Sequence, residues 1–243
     1  MPKLPILGPV SGIALATLGT ASAVQAAIIT VPTGLNPGDQ YRLVFVTSGT
    51  RDATSTNIAD YNTFVTNAVV GSALQSSLTA NGLAPTWTAI GSTSSVNAKT
   101  NTLTDPVANA STSVPIYLID GNKVATGYSD LWDGQINIPI NRTESDGYPA
   151  VFSVWTGSST DGTASAGLSL GSMFTTIGNS SLTSASWIGT STPLFNSTLY
   201  SMYGMSSVLT VPQAQPVPEP SSLLGYITLG SLMLGGAIRR AKK

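Results

Sequence analysis

The chain has 243 residues with neither cysteine nor histidine, and its 10 basic and 11 acidic residues give a net charge of −1. Without cysteine no disulfide can stabilise the fold, and without histidine the commonest general base and the usual zinc ligand are both missing. Catalysis by a Ser-His-Asp or Cys-His arrangement and zinc-dependent hydrolysis are therefore excluded.

The first 26 residues have the layout of a secretory signal peptide. One cation, Lys3, precedes an apolar run over residues 6–18, and small residues follow up to Ala26. About thirteen apolar residues are too few to cross a bilayer as a helix, and small side chains before the cut suit signal peptidase. We expect a signal helix within residues 1–26, which signal peptidase removes by cutting after Ala23 or Ala26.

The C-terminal end predicts a single membrane-spanning helix. Residues 223–238 form an apolar run without a charge, and a basic tail follows it. This run reaches about 24 Å as a helix, slightly less than a bilayer, and the side chains of Arg239 and Arg240 can extend to the interface. Because basic flanks stay in the cytoplasm, the body of the protein is expected on the opposite side of the membrane, at the cell surface or beyond it.

The same end carries a known kind of motif. Pro218, Glu219 and Pro220 precede the helix, and Arg239 and Arg240 follow it. This order of elements, at the extreme C-terminus and paired with a signal peptide, closely resembles the PEP-CTERM sorting signal of exported bacterial proteins. The resemblance implies processing by an exosortase, a membrane protease and transpeptidase, and delivery to the cell surface or to extracellular matrix. A permanent tail anchor is the alternative interpretation.

The middle of the chain, residues 27–212, is long enough for one domain with a sizeable core and too short for two. Between residues 27 and 217 there are five basic and ten acidic residues, a net charge of −5. No basic stripe is present to displace counterions from a polyanion, which excludes nucleic acid as a partner. Residues 213–243 are interpreted as a spacer followed by the sorting signal.

A strand and a helix are predicted at the start of this domain. Residues 40–47 are rich in β-branched and aromatic side chains, which predicts a strand, and residues 28–31 are expected to form a short edge strand. Over residues 58–78 apolar side chains recur at three- and four-residue steps, which predicts one amphipathic helix. Asn57 is its expected N-cap, and Asp60 lies in its first turn.

Short strands and tight turns are predicted in the remainder. Asp-Gly pairs, which favour tight turns, separate several apolar runs. The expected strands are residues 86–90, 114–119, 136–140, 151–155, 168–174, 185–189 and 200–210. The predicted fold class is α+β, with a loop-rich, mostly antiparallel sheet and one main N-terminal helix.

A series of short motifs in this region also resembles a known family. It includes WTAIGS from Trp87, PIYLIDG from Pro115, DLWDG from Asp130 and VWTG from Val154. In this order they are similar to a bacterial surface-domain family related to endostatin and to the C-type-lectin-like fold. The resemblance covers about residues 41–187 and places the predicted strand and helix where that fold has its first strand and first helix. It implies a lectin-like scaffold, and a scaffold alone does not imply a sugar ligand.

Acidic residues on the predicted turns are the candidate ligand-binding groups. Trp132 lies between Asp130 and Asp133, so that an apolar ring and nearby carboxylates could together bind a sugar, with Glu144 and Asp161 as further candidates. For Trp132 itself, packing in the core is favoured over this role. Carboxylates on extracellular turns can also bind calcium, but Asp-Gly pairs favour turns for their own sake, and we predict no metal site.

These observations predict a non-catalytic, exported surface or matrix protein that binds extracellular polysaccharide or other matrix ligands. Two alternatives from other classes stay open. One is a glycan hydrolase with paired carboxylates, such as Glu144 with Asp161 or Asp146, and the other is a purely structural matrix component. The expected partners are signal peptidase, an exosortase-type enzyme and the membrane, and the only cofactor left open is calcium.

Overall fold

The computed structural model describes residues 28–213, which form an α+β fold. The predicted signal peptide and the segment 223–238 lie outside the described residues. Within 28–213, no helix is both long and apolar enough to span a membrane.

The strands of residues 28–213 are β1 (Gln40–Val46), β2 (Trp87–Ala89), β3 (Ile116–Leu118), β4 (Lys123–Ala125), β5 (Ser153–Trp155), β6 (Phe174–Thr175), β7 (Ile177–Asn179), β8 (Leu194–Phe195), β9 (Ser201–Ser206) and β10 (Leu209–Thr210). A central mixed sheet organises the fold, in the strand order β4-β3-β1-β9-β5-β7, with β10 added beside β1 and β2 beside β9. β6 and β8 form a separate two-stranded sheet. Six of the eight strand pairings are antiparallel, and β1 with β3 and β5 with β9 are parallel.

Strand β1 lies at the centre because both of its faces are apolar. Tyr41, Leu43 and Phe45 pack into one hydrophobic cluster, whereas Val44 and Val46 pack into another. Successive side chains of a strand point to opposite faces, so the two clusters lie on the two sides of the sheet. A strand buried on both faces needs partners along both edges, and β1 has β3 on one edge and β9 and β10 on the other.

The helix predicted over residues 58–78 is two helices, α1 (Ile58–Val69) and α2 (Ala73–Ala80). The start was predicted correctly, since the Asn57 side chain accepts a hydrogen bond from the Ala59 N–H. The break comes at Gly71, whose φ of +74° ends the first helix, and Ser72 then caps the second by accepting from the Gln75 N–H at 3.2 Å. The prediction of one main helix is therefore wrong, because two helices occupy this region.

Two further α-helical segments are only four residues long, and both contribute buried side chains to the core. They are α3 (Ala98–Asn101) and α4 (Tyr128–Leu131), and 3₁₀ turns occupy Ala110–Thr112 and Ala185–Trp187.

Several strand predictions are wrong or too long. Residues 28–31 and 136–140 have no strand, although the Ile29 N–H donates to the Ile119 carbonyl at 2.8 Å. Of residues 168–174 only the last belongs to a strand, and 185–189 begins with a 3₁₀ turn. Some apolar side chains of these segments, such as those of Ile136, Ile140 and Trp187, are buried although they lie outside the strands. Burial alone does not distinguish a strand from a loop.

Candidate functional site

The three exposed or half-buried aspartates of the predicted site each close their own loop. Asp130 accepts from the Thr126 N–H at 2.6 Å and from its hydroxyl at 2.9 Å. Asp133 accepts from the Gln135 N–H at 2.9 Å. Side chains that bond to backbone two to four residues away stabilise turns, so these carboxylates serve local structure.

Asp161 follows the same pattern, because its carboxylate accepts from both the N–H and the hydroxyl of Thr163, at 3.0 and 2.6 Å. Partial burial raises the pKa of Asp161, but these hydrogen bonds outweigh burial and leave the pKa below its ordinary value. Within residues 28–213, no group of three or more acidic side chains is arranged to hold a metal ion.

Trp132 lies in the core and not on the surface between its acidic neighbours. It is 6% exposed, its ring lies 6.0 Å from the Trp187 ring, and Gly162 packs against it. Its indole N–H donates to both the carbonyl and the hydroxyl oxygen of Thr104, each at 3.0 Å. Packing in the core, the interpretation favoured from the sequence, therefore describes this ring, which has too little exposed surface to stack on a sugar.

Glu144 is buried and ties two loops together. Its Oε2 accepts from the Ser48 N–H at 2.9 Å, its Oε1 accepts from the Ser48 hydroxyl, and its own carbonyl accepts from the Leu74 N–H. Both carboxylate oxygens are thus used to join the segment after β1 to the loop before β5. This arrangement is that of a structural carboxylate.

Asp146 is the one acidic side chain in residues 28–213 with two buried oxygens that have no hydrogen-bond partner. It is 6% exposed, and its φ of +65° places it at a tight turn. Burial raises its pKa, the Asp120 charge raises it further, and the Arg142 charge opposes the shift. The side chain is a buried charge that the fold stabilises poorly.

The structure contains a polar cleft that the sequence did not predict and that none of the predicted site residues lines. It has a volume of about 310 Å³, and the buried residue Arg42 lines it. The remaining lining residues come from the start of β2, the end of α3 and the segment after it, the first 3₁₀ turn with the residue before it, and the β9–β10 connection. They are Thr86, Thr88, Asn101, Thr102, Leu103, Asn109, Thr112, Ser207 and Val208.

Carbonyl oxygens hold the Arg42 guanidinium in place. Nη1 donates to the carbonyls of Thr102 and Ser206, each at 2.9 Å, and Nε donates to the Tyr128 hydroxyl at 3.0 Å. Nη2 makes one long bond of 3.5 Å to the carbonyl of Leu103. Leu103 has a φ of +54°, a left-handed turn that directs successive carbonyls at the same cation.

Three polar side chains in the cleft make no side-chain hydrogen bond within residues 28–213, and one of them, Thr86, is exposed. The other two are the hydroxyl of Thr88 and the amide of Asn109, and both residues are half-buried. A concave surface with an aimed cation and unused hydrogen-bonding groups is the usual form of a small polar ligand site. The sequence signal that could have found it is Arg42 itself, a cation inside an otherwise apolar strand.

Comparison with models of known protein families and with curated protein sequences finds no match.

Proposed function

We propose that this chain is a non-catalytic, exported surface or matrix protein that binds extracellular carbohydrate in the Arg42 cleft. Export rests on the two ends of the sequence, where a signal-peptide layout and a segment resembling the PEP-CTERM signal give one topology. Signal peptidase and an exosortase-type enzyme are the processing partners, and residues 223–238 are the membrane contact.

A C-type-lectin-like fold is the finer part of this proposal. The α+β architecture supports it, together with β1 and α1, which occur where the resemblance expects the first strand and the first helix. The absence of histidine and cysteine from the whole sequence supports binding over catalysis, since the commonest catalytic bases and nucleophiles are missing.

The observation that carries the proposal is the cleft. Sugars present hydroxyl groups in several directions, and the cleft offers a guanidinium N–H, a threonine hydroxyl and a carboxamide within one concavity of about 310 Å³. Leu103 and Val208 add apolar lining for the C–H faces of a ring. Neither the turn aspartates nor Trp132 provides such a combination.

A glycan array probed with the full chain in detergent tests this function. Thr112 is exposed on the 3₁₀ turn and lines the cleft, so Thr112→Trp should fill the cleft without disturbing the core. We expect wild type to bind at least one glycan class and Thr112→Trp to lose that signal.

The matched control is Ser111→Trp, which places the same side chain on the neighbouring exposed position outside the cleft. It should bind as wild type does. If wild type binds no glycan, carbohydrate binding is refuted and the structural-component alternative is favoured. If both tryptophan variants retain binding, the site lies elsewhere.

A further inference from the structure

The Arg42 charge has no carboxylate partner in the described part of the chain. Three ion pairs occur within 4.0 Å among residues 28–213, and Arg42 belongs to none of them. The acidic residue closest in sequence to the cleft-lining segment after α3 is Asp105, which pairs with Lys99 at 3.5 Å. Buried charges are normally paired, so an arginine that is only 5% exposed, and whose guanidinium contacts neutral oxygens and the Tyr128 ring but no carboxylate, is an unusual arrangement.

One donor of the Arg42 guanidinium is unused, and Arg42 lines the cleft. Arginine carries five N–H donors, and Nε and Nη1 use theirs on Tyr128, Thr102 and Ser206. Nη2 has two N–H groups and one bond, the long contact with Leu103. At least one donor of a permanent cation is therefore available to a ligand oxygen in the cleft.

We propose that the cleft recognises a carboxylate on the bound carbohydrate, so that the ligand is an acidic sugar such as a uronate. The inference rests on the proposed function and names its ligand class. The carboxylate accepts from Arg42 Nη2 and completes a charge-assisted hydrogen bond, which is shorter and stronger than a neutral one. Thr88 and Asn109 then bind the ring hydroxyls or the second carboxylate oxygen.

A singly charged, planar group suits this site better than a phosphate. One cation lines the cleft, and the body of the protein carries a net charge of −5, which disfavours a dianion. A sulfate ester is also singly charged but tetrahedral, and the experiment includes it as a separate arm. Because the ion pair forms in a half-enclosed cleft, added salt should weaken it less than it weakens a surface pair.

Arg42 is an unsuitable residue to mutate first, because its side chain joins three segments and its loss threatens folding. Asn109 is the better position. Asn109→Asp keeps the size of the side chain and places a negative charge in the cleft, where it repels a carboxylate. The matched control, Asn122→Asp, makes the same change at an exposed residue outside the cleft lining.

The experiment is titration calorimetry of the full chain in detergent with galacturonate and with its methyl ester, which has the same sugar ring but no charge. We expect the acid form to bind and the ester to bind at least about tenfold more weakly. Asn109→Asp should weaken binding of the acid form by at least about tenfold, and Asn122→Asp should leave it unchanged.

Three results would overturn the inference while leaving the proposed function intact. The first is equal binding of the acid and the ester. The second is binding of neutral glycans alone, at a site where Thr112→Trp abolishes that binding. The third is stronger binding of a sulfated oligosaccharide than of the uronate. Unchanged uronate affinity in Asn109→Asp would also refute it. Failure of every glycan to bind would instead refute the proposed function itself.

Discussion

The packing of Trp132 can be tested with two glycines that occupy the same kind of turn. Gly134 and Gly162 each follow an aspartate, and both have positive φ, +99° and +76°. A Cβ added at Gly134 meets nothing within 4 Å, whereas one at Gly162 lies 2.7 Å from Cε3 and 2.8 Å from Cδ2 of Trp132. Alanine at the two positions therefore imposes similar backbone strain but very different crowding.

The expected magnitude follows from these two terms. A left-handed conformation costs a non-glycine residue about 1–2 kcal/mol, and both variants incur this cost. Crowding a packed core costs about 1–3 kcal/mol more, which applies only to Gly162→Ala. The indole cannot simply move aside, because its N–H is held by Thr104 and its ring by Trp187. Gly162→Ala should thus be less stable than Gly134→Ala by about 1–3 kcal/mol.

Urea unfolding followed by tryptophan fluorescence measures both variants against wild type. The comparison uses the midpoint shift at a common slope, since a changed slope would indicate an altered denatured state. Equal destabilisation within about 0.5 kcal/mol would refute the reasoning. It would mean that the Trp132 ring is free to leave its position, and the sugar-stacking role considered for it would become available again.

Three further predictions concern the acidic residues and the ends of the chain. Burial raises the pKa of Asp146, so the folded state binds the carboxyl proton of Asp146 more tightly than the unfolded state does. The stability of the fold therefore falls as pH rises from about 3.8 through the folded pKa. Asp146→Asn should remove this pH dependence and be at least as stable as wild type at pH 7. Urea unfolding of both proteins at pH 4 and pH 7 measures this, and a larger loss of unfolding free energy in the variant at pH 7 than at pH 4 would contradict it. Glu144→Gln should lower the free energy of unfolding by about 1–3 kcal/mol, because it weakens the hydrogen bonds to Ser48. Neither wild type nor this variant should release reducing sugar from glycans, and release by wild type that the variant abolishes would favour the hydrolase instead. Mass spectrometry of the surface fraction should find a mature chain that begins after Ala23 or Ala26 and lacks the basic tail, and a cytosolic chain with both ends intact would contradict export.

The parts of the fold that were predicted correctly are specified by local sequence. The apolar run of β1 and the periodicity of α1 each contain enough residues to define a pattern. The cap at Asn57 and the turns at the Asp-Gly pairs depend on single side chains that bond to nearby backbone. The residues that determine such elements are close together in the sequence as well as in the structure.

The parts that were missed depend on distant partners. β4 and β7 have three residues each, too few for a periodic signal, and each exists because a hydrogen-bonding edge is available on β3 or β5. The break between α1 and α2 was visible at Gly71, but periodicity continued across it because Leu74 is buried as well. A pattern of burial does not show whether the backbone between two buried residues stays helical.

The candidate site was missed for a related reason. The acidic residues on the predicted turns, such as Asp130 and Asp161, already have partners in their own loops. The Arg42 cleft instead joins segments that are far apart in the sequence, from β1 to the β9–β10 connection. No local pattern contains it.

Strand β1 nevertheless carried a usable signal. Alternation places Arg42 on the same face as Val44 and Val46, which are buried on both sides by neighbouring strands. A permanent cation on a buried face must be compensated by an acid, by carbonyls or by a ligand. In the described residues the acid is missing and the carbonyls use only part of the guanidinium, so the remaining donor is the group most directly available to a ligand.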